Sequence, residues 1–578
     1  MPFQSISHSR IRMLIIASVF LMAVFVVRLF YLQVIEHSKY SILADAEQVK
    51  RLTIPATRGE IYMEDNGTPV KVVLNETVYT MFVDPKIITD PEAVKDVIRE
   101  VAGGNTVDGF AKLVDKKDTR YQVVAKNVTR RQAELIKKKE LAGIGFQAVV
   151  RRVYPEGTLA AQTLGFVNYD QKGQYGIEGR FDKQLRGKDG MLQSVTDVSN
   201  VPLTIGNRNV NIPAQNGANI VLTLDRNVQA YTEKALSDGL RKIGATDGSV
   251  IVMDPNDGSV LAMANFPTYN PSKFAKVTNA NAFNNAVVSD PYEPGSVVKT
   301  FTVATGINTN TITPQSTYVN TDYITIDDRT ITNATKGQTG TISIQHALTW
   351  SLNTGMVTVA QRLGGGTINR QARNTMYSYF HDRFHLGQMT GIETTGEVPG
   401  ELIPPTAVEG NAVRYSNMSF GQGMNPTMIQ VAAGFSSLIN GGTYYYPTII
   451  KGNLNDDGDI VPAKQKKPQE NVINASTSAT MRTMILKARR EFYAGNDRKG
   501  YDIGGKTGTS QDIVNGEYTF DETTGTYIGF GGDTKPKYVI MVRVSSKGRA
   551  LNGGDHALPI FTDISNWMID YLKLQPKG

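Results

Sequence analysis

The chain contains no cysteine. That excludes disulfides, thiolate metal sites and a cysteine nucleophile, and it is compatible with a location outside the cytoplasm without requiring one. Histidine is scarce, with six in 578 residues, and none stands in an HExxH or similar zinc spacing, which argues against a metal hydrolase. No repeat of solenoid period and no long low-complexity tract is visible. Charge imbalance is also small. A net charge of +7 at this length reads as ordinary solvated surface, with attraction to an anionic envelope or lipid head groups as the alternative. What the chain does have is length and apolar content. Hydrophobic residues make up 40% and charged residues 20% of 578, enough for two or three domains with buried cores.

The apolar content is concentrated first at the N-terminus. Met13–Val27 is uncharged and mostly apolar, Leu29–Ile35 continues it, and only Arg28 interrupts. Together they approach the roughly 20 residues that cross a bilayer. Arg28 lies toward the C-terminal end of the run, where a long side chain can snorkel to the interface. His8, Arg10 and Arg12 precede the run, so the positive-inside rule places residue 1 in the cytoplasm and the bulk of the chain outside. A cleaved signal peptide is the competing reading, but the run is long for one and no A-x-A site comes after it. A buried core helix is disfavoured because no domain precedes it.

Glu36–Arg51 is polar and helix-compatible, a stalk leaving the membrane. From Leu52 to about Asn219, short β-rich pieces (Val70–Leu74, Val78–Val83) alternate with helical ones. The basic run Lys126–Glu140 reads as the wet face of a helix, with contact to glycan or phospholipid as the alternative. The pattern changes near Gly217. Asn219–Leu224 reads as a strand, and Asn227–Leu240 carries Val228, Tyr231, Ala235, Leu236 and Leu240 at helical spacing. Ser249–Met253 and Ser259–Ala264 are short apolar strands around a DPNDG turn, which predicts a hairpin. Thr526–Phe530 and Tyr538–Val544 read as strands, and Ile560–Leu572 as an amphipathic helix. Helices at both ends of antiparallel strands predict an α/β domain on a mainly antiparallel sheet.

Three short motifs stand in order in the C-terminal half. Ser296-Val297-Val298-Lys299 comes directly after Glu293-Pro294-Gly295, and the Pro-Gly pair lets a helix begin at about Ser296. Three residues is nearly one turn, so hydroxyl and amine share a face. A serine hydroxyl needs a neighbouring base, and a lysine whose pKa is lowered by burial and a nearby cation can serve. The helix start also offers a backbone N–H to a developing oxyanion. By itself S-x-x-K arises by chance in a chain this long. Ser351-Leu352-Asn353 is the second motif; its hydroxyl and amide can both face a cleft if the backbone turns there, and taken alone it reads as a helix cap or loop. The third, Lys506-Thr507-Gly508-Thr509, suits an edge strand that presents a cation, a hydroxyl and a glycine permitting close approach. The stretch from Gly500 to Thr507 also matches GxxxxGK[ST], but a phosphate-binding loop should open a helix, and the residues after Lys506 lack helical periodicity.

The three motifs in this order are the signature of penicillin-binding proteins and class A β-lactamases, and the chain resembles that superfamily. The resemblance covers most of the chain. Arg58-Gly59-Glu60-Ile61, with Asp65-Asn66-Gly67 after it, looks like the family's RG-x-I pattern with a spacing displaced by about a residue. Arg152-Val153-Tyr154-Pro155-Glu156-Gly157 and Gly176-Ile177-Glu178 look like the pedestal motifs of class B members, and Phe420-Gly421-Gln422-Gly423 with Asn440-Gly441-Gly442 looks like their late helical region. The architecture implied is a tail (1–12), an N-terminal transmembrane helix (13–35), an α+β pedestal (36–215) and an α/β serine transpeptidase domain (216–578), whose antiparallel sheet is flanked by helices.

The resemblance also implies a mechanism. Ser296 would attack the penultimate D-Ala carbonyl of a peptidoglycan stem peptide and release the last D-Ala. Lys299 would take the proton, with Ser351 and Asn353 relaying and positioning. Lys506, Thr507 and Thr509 would bind the substrate carboxylate beside Gly508, and the N–H groups of Ser296 and Thr509 would form the oxyanion hole. A second stem peptide's amine would resolve the acyl-enzyme, and β-lactams would trap Ser296. No cofactor, metal or nucleic acid is implied. A β-lactamase would need a Glu with Asn four residues on, and Glu393, Glu397, Glu401 and Glu409 lack it. A carboxypeptidase would not need so long an N-terminal region, and no glycosyltransferase domain is recognisable between 36 and 220. A non-catalytic β-lactam sensor or scaffold is disfavoured by three complete motifs. In the family the elongation type often carries Asp at the third place of the second motif; Asn353 favours the division type. The partner so implied is a multi-pass glycosyltransferase among other divisome proteins, alongside the membrane.

Overall fold

The computed structural model describes residues 8–195, 210–514 and 517–577. Residues 1–7 of the expected tail, and 196–209 of the stretch expected as pedestal, lie outside the described residues. The chain divides into two compact units, Met1–Arg58 with Arg186–Gly217, and Gly59–Leu185 with Ala218–Gly578.

In the first unit the α-helix His8–Phe30 runs on into a π-helical turn, Tyr31–Ile35. The span Ser9–Ile35 reaches a mean hydropathy of 2.7 with none of its most apolar stretch buried in the protein, so it is long and apolar enough to cross a membrane. The next helix is His37–Gln48, but the expected helical stalk ends early. Val49–Ile54 is a strand, antiparallel to Gly190–Val195, which in turn pairs with Val210–Ile212. The partner strand lies far along the chain, where local periodicity cannot register it. Two side chains close this unit: Asp189 Oδ1 accepts from the Ala56 N–H at 2.8 Å and Asn216 Oδ1 from the Thr57 N–H at 3.0 Å.

The second unit holds a seven-stranded mixed sheet whose spine is Thr68–Val83. The two short strands read from the sequence are one, because the polar residues between them face basic partners. On the neighbouring strand Ile144–Val153, Arg152 Nη1 donates to Asn75 Oδ1 at 2.9 Å and Arg151 bridges Glu76 at 2.6 Å. The helices Pro91–Ala102 and Arg130–Lys137 cover this part, packing Val94, Ile98 and Ile136 on Met81, Val83 and Val124. Arg130–Lys137 buries only Ala133 and Ile136, so the basic run does place its charges in water. Asn219–Asp225 joins the same sheet, parallel to Ile61–Asp65 and antiparallel to Ile450–Leu454. Nearby, Arg152 and Glu178 form an ion pair at 2.7 Å with side chains only 4% and 0% exposed.

The second sheet of this unit is antiparallel, in the order Val260–Phe266, Asp247–Met253, Pro536–Ser545, Glu517–Gly532, Asp502–Val514. Its inner strands are near-continuous apolar runs because both faces are covered. Val250, Val252, Tyr538, Ile540 and Val542 pack beneath the helices Arg226–Ile243 and Leu558–Tyr571. Ile251, Met253, Val539 and Met541, one residue out of phase, face the larger core with Phe301, Ile429 and Ile485. The helix Arg226–Ile243 begins where Asp225 Oδ1 accepts the N–H groups of Asn227 and Val228, and ends at Gly244 with φ 64°. The third sequence motif falls on the edge strand, Asp502–Val514, as expected; no helix begins at Lys506.

Candidate active site

Pro294 and Gly295 break the chain, and Gly295–Val298 forms a 3₁₀ turn that continues as the α-helix Lys299–Asn308. The Lys299 N–H donates to the Ser296 carbonyl. In a 3₁₀ turn residues i and i+3 eclipse, so Ser296 and Lys299 share a face more directly than α-helical spacing would give. Ser296 is half-buried and Lys299 fully buried.

The second motif lies at a turn between two helices. Ser351 adopts φ 58°, a left-handed conformation unusual for serine, between the helices Ile344–Thr349 and Asn353–Leu363. Lys299 Nζ donates to the Ser351 carbonyl and, at 3.1 Å, to Ser351 Oγ. Lys506 Nζ donates to the same Oγ at 2.9 Å and to the Thr507 carbonyl at 3.1 Å. Asn353 opens its helix, and its Nδ2 donates to the Thr332 carbonyl at 2.8 Å. A buried polar network backs this helix start: Asn333 Oδ1 accepts from the Thr354 N–H at 3.0 Å, and Asn320 Oδ1 accepts from Thr354 Oγ1 at 2.9 Å.

The edge strand meets the serine turn through glycines. A Cβ on Gly295 would stand 2.5 Å from the Thr509 carbonyl oxygen, and one on Gly508 would stand 2.6 Å from the Pro294 carbonyl oxygen. Thr526 Oγ1, on the neighbouring strand, donates to that Pro294 oxygen at 3.1 Å. Thr509 is exposed and Thr507 half-buried at the rim. The structure thus joins Lys299, Ser351 and Lys506 by hydrogen bonds and lays Gly508 and Thr509 against the turn bearing Ser296, while Asn353 is engaged one residue-layer away with Thr332.

The contacts that join Glu293-Pro294-Gly295 to Phe420-Gly421-Gln422-Gly423, both singled out in the sequence, were not legible there. The Gly295 N–H donates to the Gly421 carbonyl at 3.0 Å, and a Cβ on Gly421 would fall 1.9 Å from the Gly295 oxygen. Glu293 Oε1 accepts from the Gly423 N–H at 2.6 Å and from the Tyr518 hydroxyl at 2.8 Å. Gly421-Gln422-Gly423 lies in the turn between the helices Ala412–Met418 and Met428–Ile439. A Glu next to Pro-Gly and a Gly-x-Gly were visible, but nothing local says that they touch.

Burial governs the electrostatics. Lys299 is held well below the usual amine range, first by desolvation and then by the charge of Lys506. Burial lowers Lys506 to about 7. An amine held neutral beside a serine on the same turn can accept a proton, and a second, charged amine can hold an anion. No cluster of three or more His, Cys, Asp or Glu side chains that could bind a metal occurs among the described residues.

Residues 248–566, more than half of the chain, match the family model described as the penicillin-binding protein transpeptidase domain, and residues 53–222 match that of the penicillin-binding protein dimerisation domain. The chain belongs to the class B penicillin-binding proteins. Its activity is that of a peptidoglycan D,D-transpeptidase. Among relatives, this class B protein is 28% identical to stage V sporulation protein D of Bacillus subtilis over 560 residues, covering 95% of this chain and 84% of the other. It is 30% identical to penicillin-binding protein PbpB of Mycolicibacterium smegmatis over 498 residues, covering 83% and 74%. Among solved structures, a peptidoglycan synthetase from Bifidobacterium adolescentis superimposes with a TM-score of 0.71 at 25% identity, covering 92% of this chain and 98% of that one. Penicillin-binding protein 3 of Mycobacterium tuberculosis, solved in complex with aztreonam, shares the fold at a TM-score of 0.68 and 23% identity, covering 91% and 98%.

Proposed function

We propose that this transpeptidase cross-links peptidoglycan in septal wall synthesis by acyl transfer through Ser296. The observation that carries the reading is the convergence of two buried amines on Ser351 Oγ, one of them on the same turn as Ser296. Neutral Lys299 accepts the Ser296 proton as Oγ attacks the penultimate D-Ala carbonyl of a stem peptide. The N–H groups of Ser296 and Thr509 receive the oxyanion. The carbon–nitrogen bond breaks, the terminal D-Ala leaves as a protonated amine through the Lys299–Ser351 relay, and an ester remains on Ser296. The amine of a second stem peptide then attacks that ester, forming the cross-link amide and returning the proton to Ser296. Charged Lys506, with Thr507 and Thr509 at the rim and Gly508 permitting close approach, holds the donor's terminal carboxylate, and Asn353 positions the second motif. β-Lactams present the same amide and carboxylate and acylate Ser296.

The septal assignment rests on Asn353. Arg10 and Arg12, ahead of the apolar run that begins at Met13, support a cytoplasmic N-terminus, with a tail to residue 12, an anchor over 13–35, a pedestal over 36–215 and the transpeptidase domain over 216–578 outside. A multi-pass glycosyltransferase and other divisome proteins are the partners that the family resemblance implies.

The test is labelling of the detergent-solubilised full chain with a fluorescent penicillin, beside Ser296→Ala, with the labelled peptide mapped by mass. Stable label on Ser296, absent from the variant, is expected. Rapid loss of label would point to hydrolysis, and no label on folded protein would end the catalytic reading.

A further inference from the structure

Apart from the three motifs, a cleft of about 640 Å³ opens between the strand Ile144–Val153 and residues 167–171 and 271–274. That is the size of a small-ligand site, about 300–1,000 Å³. Among the described residues no acidic side chain lines it, whereas Lys126, Arg151 and Arg152 all do. Arg151 and Arg152 are bridged to Glu76 and Glu178, yet Arg152 Nη2 is buried with no hydrogen-bond partner among the described residues. A buried guanidinium N–H without an acceptor is costly, so an acceptor brought by a ligand would be favoured there.

The rim carries a second, independent feature. Tyr169 is 81% exposed, the most exposed large aromatic side chain among the described residues. Its position is not loose. Asn168 Oδ1 accepts the N–H groups of Asp170 and Lys172 at 3.0 and 2.9 Å, closing a tight turn between the strands Phe166–Val167 and Gly173–Gln174. The Tyr169 ring leans on Phe274 at 5.1 Å, and Phe274 stacks on Phe166 at 4.5 Å. A rigid ring held out into water is preorganised for a flat apolar face, and ordering it on binding costs little. The side-chain amides of Asn127 and Gln171 line the same cleft.

An aromatic face, side-chain amides and cationic donors, with no carboxylate in the described lining, suit one chemistry: a chain of N-acetylated sugars bearing carboxylates. We propose that this cleft binds a glycan strand of peptidoglycan with its peptide stems attached, a site separate from the three motifs. The sugar face lies on Tyr169, the amides meet acetamido and hydroxyl groups, and Lys126 with Arg152 Nη2 takes a stem carboxylate or carbonyl. The identity of the polymer rests on the transpeptidase reading. Holding the strand here makes delivery of its stems to the serine turn intramolecular, which raises their effective concentration.

The test uses the full chain in detergent, with and without bound penicillin, titrated with soluble uncross-linked glycan strands carrying pentapeptide stems. Strands are expected to bind the penicillin-occupied protein. Tyr169→Ala and Lys126→Gln are each expected to weaken that binding about tenfold, equivalent to about 1.4 kcal/mol. Both positions are exposed, so fluorescent-penicillin acylation and thermal stability should match the parent, and a failure of the serine reading would show there instead. Equal binding by parent and variants, no binding at all, or capture of an acidic peptide in preference to the strands would each overturn the proposal.

Discussion

Lys299 and Lys506 donate to one oxygen, Ser351 Oγ, at 3.1 and 2.9 Å. Two buried amines so placed cannot both be charged cheaply, and the charge of Lys506 is one cause of the lowered Lys299 pKa, so the proton resides on Lys506. A pH dependence results. Acylation needs neutral Lys299 and charged Lys506. As pH rises, kcat/KM for a carboxylate-bearing donor increases while Lys299 loses its proton, then declines above about 7 as free-enzyme Lys506 loses its own. Lys506→Arg keeps its charge to above about pH 12 and should abolish the falling limb, at a lower overall rate because the guanidinium is planar. Stopped-flow acylation across pH 5–10 would check this; a parent profile flat to pH 9 would contradict it.

Gly295→Ala is expected to separate the serine turn from the edge strand. The added Cβ would meet the Thr509 carbonyl at 2.5 Å, at a position whose φ is +62°. Backbone strain of this kind costs about 1–3 kcal/mol. Both the melting temperature and the acylation rate should fall, the rate by about tenfold or more for each 1.4 kcal/mol by which the oxyanion geometry is weakened. Unchanged acylation in a folded variant would show that the close approach is not needed.

Glu293 ties two segments to the serine turn, the Gly423 N–H and the Tyr518 hydroxyl. Glu293→Ala should raise KM for peptide donors more than it lowers kcat, because it releases the hairpin bearing Tyr518 beside the binding edge. Tyr518→Phe should reproduce the part of that effect due to the hairpin, about 1.5–3 kcal/mol for a hydrogen bond to a charged group. Glu293→Gln, which keeps an acceptor, should restore most of it. Steady-state kinetics with a soluble thioester donor would separate KM from kcat; equal losses in both alanine and glutamine variants would argue for misfolding instead.

The buried Arg152–Glu178 pair should matter for stability and not for chemistry. Glu178→Gln leaves a buried guanidinium without its counter-charge, which costs about 3–5 kcal/mol. Denaturant unfolding should show the loss, while penicillin acylation at low temperature should persist. A stability change within about 0.5 kcal/mol, the range of ordinary surface substitutions, would contradict this account.

Much of the fold was legible because it is written in nearest-neighbour periodicity. The uninterrupted run from Met13 declares a helix for an apolar medium, and the near-continuous apolar runs Ser249–Met253 and Tyr538–Val544 declare strands covered on both faces. The order of Ser296-x-x-Lys299, Ser351-x-Asn353 and Lys506-Thr507-Gly508 likewise pointed to one superfamily. Other features depended on partners distant in the chain: the strand Val49–Ile54, and the joining of Ile61–Asp65 to Asn219–Asp225. The meeting of Lys299 with Lys506 at Ser351, and the approach of Gly295 to Thr509, are of the same kind. A lysine's type is given by the sequence, but its pKa is set by how much water and charge surround it, and only the tertiary structure decides that.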